Sequence, residues 1–167
     1  MIIVKRNDEE AVKMKRVRNR KNDVTVIAGC GRLGANLANT LSDEGESVIV
    51  IDKDRDSFRK LSPSFSGFFL VGDAAEMMLQ NEADLNRAHS VIAVTNNDNS
   101  NIFIAQVAKE VYQVDKVIAR LYDPERECVY QEFGIDTICP AVLSAHEVEK
   151  IMGTGPEVPE SCKNRYS

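Results

Sequence analysis

Residues 24–52 read VTVIAGCGRLGANLANTLSDEGESVIVID, which imposes a strand, a glycine turn, a helix and a second strand in immediate succession. Val24 to Ile27 is an apolar, β-branched run of the kind found in strands buried on both faces. Gly29, Cys30, Gly31, Arg32, Leu33 and Gly34 then spell G-x-G-x-x-G. A helical pattern follows through Leu41, and a further apolar run, Val48 to Ile51, ends at Asp52. The hexapeptide alone is a weak signal. Set between a strand and a helix, with an acid 18 residues beyond its last glycine, it predicts a nucleotide-binding turn.

Each residue in that unit has a physical task. Gly29 permits the tight turn off the strand, Gly31 leaves the backbone open to a phosphate, and Gly34 lets the helix pack closely on the sheet. The helix starts with unpaired N–H groups and the positive end of its dipole, which favour an anion there. Arg32, at the helix mouth, could meet a phosphate in bidentate fashion, and the Leu33 backbone belongs to the same loop. Asp52 can accept hydrogen bonds from both hydroxyls of an adenosine ribose. A 2′-phosphate would face that carboxylate, which disfavours NADP, although Lys53 and Arg55 beside it act in the opposite sense.

Further along, apolar Val- and Ile-rich runs recur at about 67–71, 90–94, 116–120 and 135–139. Helical stretches separate them near 54–61, 75–82, 98–112 and 124–132, and a last one spans 140–152. This alternation predicts an α/β fold: a doubly wound, Rossmann-like parallel sheet with strand order 3-2-1-4-5-6 and helices on both faces. Asn96-Asn97-Asp98 offers caps for the fourth-strand helix, whose buried face should include Ile102, Ile104, Ala105, Val107, Ala108 and Val111. A ligand should lie where the strand order reverses. Thr95 and Asn96 end the fourth strand beside the expected pyrophosphate. Asp73 and Ala74, after Gly72, could border the adenine, or Asp73 could simply cap a helix. Arg120 ends the fifth strand, facing either the ligand or a surface ion pair.

Composition narrows the function. With 167 residues the chain supports one domain, divided as a basic arm 1–22, a nucleotide-binding domain 23–152 and a polar tail 153–167. The arm holds eight Lys or Arg against three acids, although the whole chain carries −5. Such an arm could contact phosphate, lipid headgroups or an acidic partner, or merely be solvated; it shows no helix-turn-helix pattern, so nucleic acid is not expected. No apolar stretch reaches the ~20 residues of a membrane span, and no signal peptide is visible, so the expected location is cytoplasmic. Four scattered cysteines and two histidines form neither a zinc pattern nor a catalytic constellation. Cys30 is expected to be a small filler, with a redox-sensitive thiol as the alternative. With the fold consuming nearly all the chain, no substrate domain is left. A sensor is therefore expected rather than an enzyme, with a small NAD(H)-dependent oxidoreductase or redox sensor as the alternative.

Val26 to Gly34 with Arg32 after the second glycine, Asp52 ending the second strand, Gly72-Asp73-Ala74, and Val117-Ile118-Ala119-Arg120 together resemble the RCK/KTN (TrkA-N) nucleotide-binding domain. That family supplies regulatory subunits of Trk- and Ktr-type potassium uptake systems and gating rings of potassium channels. The resemblance covers about residues 22–150. It implies that Gly29 to Gly34 bind the phosphates of an adenine nucleotide (NAD, NADH, ATP, ADP or AMP) and that Arg32 contacts phosphate. It further implies that Asp52 holds the ribose, that Asp73 and Ala74 line the adenine, and that Arg120 faces the phosphates. It also implies a homo-oligomer, from a dimer to a ring, on a potassium-translocating membrane subunit at the inner face of the cell membrane. Two features depart from the family. The second C-terminal lobe is expected to be absent or supplied by a second RCK chain. Pro140 is followed by Ala141 where some relatives carry a cation-binding acid, so no metal site is expected.

Overall fold

A computed structural model describes residues 3–4 and 24–153, apart from 80 and 84. The expectations for arm residues 5–22 and for tail residues 154–167 lie outside the described residues. Seven strands form one sheet: β1 (Ile3–Val4), β2 (Val24–Ala28), β3 (Ser47–Asp52), β4 (Phe68–Val71), β5 (Ala88–Ala93), β6 (Lys116–Arg120) and β7 (Asp136–Ile138). Their order is β1-β4-β3-β2-β5-β6-β7. The six strands β2 to β7 are mutually parallel, and counted among themselves they run 3-2-1-4-5-6. The two-residue β1 adds an antiparallel edge, with Ile3 opposite Leu70 and Val4 opposite Phe69.

The central strand explains the architecture. All five residues of β2 are buried, and its four apolar ones are divided between two cores. Val24, Val26 and Ala28 face α2 (Ala74–Leu79) and α3 (Asp98–Gln106), meeting Met77, Met78, Ile104 and Ala105. Ile27 faces α1 (Arg32–Asp43) and a 3₁₀ turn at Arg55–Lys60, meeting Ala35, Ala38 and Phe58. A strand covered on both sides gains little from polar alternation, which is why its sequence reads as an apolar run interrupted by Thr25, whose buried hydroxyl pairs with Ser90 Oγ at 2.8 Å.

Several elements differ in detail from expectation. The segment after β3 is 3₁₀ rather than α-helical, with Asp54 accepting the Asp56 N–H as its cap. α3 continues into a π-helical stretch, Val107–Val111, whose widened turn rotates Val111 off the buried stripe and leaves it 65% exposed. The predicted helix 124–132 begins as a 3₁₀ turn, Pro124–Arg126, and becomes α4 (Glu127–Glu132). The last helix, α5 (Pro140–Met152), has its proline at the start and ends at a left-handed Gly153, yet it has no buried residue.

Candidate nucleotide-binding site

The carboxyl ends of β2, β3, β4, β5 and β6 surround a cleft of about 590 Å³ at the point where the strand order reverses. Its first wall is the glycine loop. Gly29 has φ +107°, and its amide donates to the Ile51 carbonyl at 2.7 Å. A Cβ on Gly29 would lie 2.9 Å from the Thr95 nitrogen and the Val94 carbonyl, so the turn demands glycine twice over. A Cβ on Gly34 would fall 1.9 Å from the Gly29 carbonyl oxygen, because the first turn of α1 presses on the loop. Gly31 differs: its φ is −71°, and a Cβ there would meet nothing within 4 Å. Among the described residues nothing requires glycine at 31.

α1 starts without a side-chain cap and without an acid in its first turn, so its leading N–H groups are left for another acceptor. Arg32 is exposed at this helix start and does not line the cleft, and the Leu33 side chain turns away to pack on the core around Ile27. Gly34 is buried against Gly29. Of the three, only backbone groups and the long Arg32 side chain are positioned to reach a ligand at the loop.

Asp52 closes the loop from the β3 side. Its Oδ2 accepts the Cys30 N–H at 2.6 Å and its Oδ1 accepts the Asp54 N–H at 2.9 Å. A carboxylate offers about four acceptor positions, so capacity remains for ribose hydroxyls. Cys30 itself points inward and is fully buried, with its Sγ 3.5 Å from the Ser57 carbonyl. Burial, reinforced by the Asp52 charge and only partly opposed by Lys60, pushes its thiol up to about 11. This is the chemistry of a filler, not of a reactive thiol.

At the β4 side Lys53 Nζ sits 2.7 Å from Asp73 Oδ2, and Asp73 Oδ1 accepts the Ala75 N–H at 2.8 Å at the start of α2. Both residues line the cleft, so Asp73 is a cap and a cleft residue at once. Ala74 also lines it, while its methyl belongs to the core.

The opposite wall is tied together by a residue not singled out in the sequence. Asn101 is fully buried on α3; its Oδ1 accepts the Thr95 N–H at 2.8 Å and the Thr95 hydroxyl at 2.7 Å. Its Nδ2 donates to the carbonyls of Thr95 at 3.1 Å and Arg120 at 3.0 Å. One amide thus joins the ends of β5 and β6. Arg120 donates from Nη2 to the same Thr95 carbonyl and stacks over Tyr122, its guanidinium carbon 4.6 Å from the ring centroid. Among the described residues its buried Nε has no partner and the side chain makes no ion pair, so Arg120 is a cleft residue. Thr95, the exposed Asn96 and Tyr122 complete this wall. Asn101 had a legible signal: it lies on the stripe of Ile104, Ala105 and Ala108, and a polar residue there must be bonded. Tyr122 had none. His89 lies at the amino end of the sheet and His146 on α5, both exposed and neither in the cleft. Among the described residues no cluster of His, Cys, Asp or Glu could hold a metal ion, and no helix is long and apolar enough to cross a membrane.

The family model described as the TrkA-N domain matches residues 25–140. The Trk system potassium uptake protein TrkA of Streptomyces coelicolor is 41% identical over 133 residues, which cover 79% of this chain and 60% of that protein. The chain therefore spans about three-fifths of that relative. Among solved structures, the TrkA-N domain of the inner membrane protein ybaL from Escherichia coli superposes with a TM-score of 0.68 at 20% identity, covering 78% of this chain and 97% of that one. GsuK bound to ADP superposes with a TM-score of 0.63 at 25% identity, covering 80% of this chain and 33% of that one.

Proposed function

The chain belongs to the TrkA-N family, and on that premise we propose that it is the nucleotide-sensing unit of a potassium uptake system. An adenine nucleotide (NAD(H), ATP, ADP or AMP) occupies the cleft with its phosphates on the glycine loop and the start of α1, near Arg32 and Arg120. Its ribose sits on Asp52, and its base lies toward Asp73 and Ala74. The observation that carries this reading is Gly31: the one motif glycine free of internal constraint faces open space beside an uncapped helix start. Absence of a side chain there is useful only to something that comes from outside. Similarity to GsuK, solved with ADP, supports the ligand class.

The nucleotide acts through differential affinity for two conformations, and the shift is passed to a potassium-translocating membrane subunit at the cytoplasmic face of the membrane. A homo-oligomer, dimer or larger, is the acting form. α5 supports this, since Val148 and Ile151 are exposed on a helix that buries none of its residues in the single chain. The oxidoreductase alternative has less support, because the family match and the TrkA relative are to a potassium uptake regulator.

Thermal unfolding with and without AMP, ADP, ATP, NAD and NADH tests the reading. At least one should raise the midpoint, and Asp52→Ala and Arg32→Ala should each reduce that rise. No shift with any of the five sinks it. Potassium uptake in cells whose own TrkA-type regulator is deleted tests the second half: the intact chain should restore uptake, and the Arg32→Ala variant should restore less.

A further inference from the structure

The ribose end of the cleft carries a fixed arrangement of charge. Asp52 ends β3, and the next residue, Lys53, holds its Nζ 2.7 Å from Asp73 Oδ2. The two meet because β3 and β4 run parallel with Asp52 opposite Val71, so the residues just past the strand ends emerge side by side. Asp73 is anchored by its other oxygen to the Ala75 N–H, so the flexible lysine comes to the fixed carboxylate. The hydrogen bond to Asp73 raises the Lys53 ammonium above its usual range, and the same bond holds the Asp73 carboxyl below its own. Both are charged at neutral pH.

Among the described residues Lys53 is the cation lining this end of the cleft. Arg120 lines the far end, past β6, and the exposed Arg55 lines a separate, smaller cleft beside Phe58 and Phe69. Asp52, Asp54 and Asp73 line the same end as Lys53, while Lys60, outside the lining, turns its Nζ to the Cys30 carbonyl at 3.4 Å.

We infer that Asp73 determines specificity: by engaging Lys53 it withholds the ammonium that would otherwise balance a phosphate on the ribose 2′-oxygen, and so restricts the cleft to adenine nucleotides with a free 2′-hydroxyl. This rests on the nucleotide reading above. A 2′-phosphate brings close to two negative charges to a site already negative, and it must compete with Asp73 for Lys53. The pair is exposed and screened, so the preference is graded and strongest at low salt.

The test compares 5′-AMP with adenosine 2′,5′-bisphosphate, which differ only by the 2′-phosphate, using calorimetry on the intact protein at low salt. The wild type should bind AMP more tightly. Asp73→Asn keeps an oxygen for the Ala75 N–H and should narrow the ratio of the two dissociation constants about two- to fivefold, the range of one exposed ion pair. Adding Lys53→Met to Asp73→Asn should restore most of the original ratio, because the released ammonium is then gone. An unchanged ratio in Asp73→Asn overturns the inference, as does a narrowing that persists in full in the double variant. If Asp73→Asn does not fold, Asp73→Ser, which also caps helices, takes its place. AMP binding with an unchanged ratio defeats this inference alone, whereas a wild type that binds neither compound defeats the nucleotide reading with it.

Discussion

Gly31 and Gly34 stand three residues apart in one motif and are constrained from opposite directions. A methyl on Gly34 would collide with the Gly29 carbonyl at 1.9 Å, whereas a methyl on Gly31 would meet nothing. Gly34→Ala should therefore destabilise the empty protein by about 3 kcal/mol, the upper range for overpacking, seen as a lower urea midpoint. Gly31→Ala should cost the empty protein about 1 kcal/mol at most, since alanine is only a poorer N-cap. It should nevertheless abolish the stabilisation by adenine nucleotides. Cys30 offers a third contrast. Its thiol is held at about 11, above the ordinary cysteine value, so the neutral form is what the fold favours. That contribution is fully present below the ordinary value and is lost as pH rises from there through 11. Cys30→Ala should flatten the decline in stability across that range, and at pH 8 native Cys30 should resist alkylation that labels it readily after unfolding.

At the scale of elements, the glycine loop, the strands and the 3-2-1-4-5-6 order were legible because each rests on local pattern: apolar runs, glycine spacing, and a handedness rule for crossovers. What escaped depends on which elements end side by side. Asn101 is visible as a polar residue on an apolar stripe, but its partners, Thr95 and Arg120, adjoin it only once β5 and β6 pair. The Lys53–Asp73 pair likewise exists only through the β3–β4 register. Val111 leaves the expected buried stripe because one π-helical stretch shifts the phase of the helix, and no residue type announces such a stretch. The Asn101 amide carries a definite prediction. Asn101→Ala takes the acceptor from the Thr95 N–H and hydroxyl and the Asn101 donor from the Arg120 carbonyl, while Arg120 still bonds the Thr95 carbonyl, and should cost about 3 kcal/mol in chemical denaturation. It should also weaken nucleotide binding, because Thr95 and Arg120 lose their common anchor.

At the scale of the molecule, the sheet buries its two faces well while α5 is left outside both cores. Among the described residues α5 buries none of its own, which is the feature the proposed oligomer would account for. Val148→Glu combined with Ile151→Glu should reduce the assembly size measured by light scattering while leaving the unfolding transition of the α/β core in place. An unchanged assembly would remove α5 from the interface.

One bond described at the loop has a use of its own. The Cys30 amide lies 2.6 Å from the Asp52 carboxylate, and a proton in so short a contact with a negative oxygen is strongly deshielded. Its NMR resonance should stand far downfield of the other backbone amides. A ribose that draws hydrogen bonds to the same carboxylate would weaken the amide's share and move the resonance back. The protein thus carries, in its own backbone, an unlabelled reporter of whether its cleft is empty or filled.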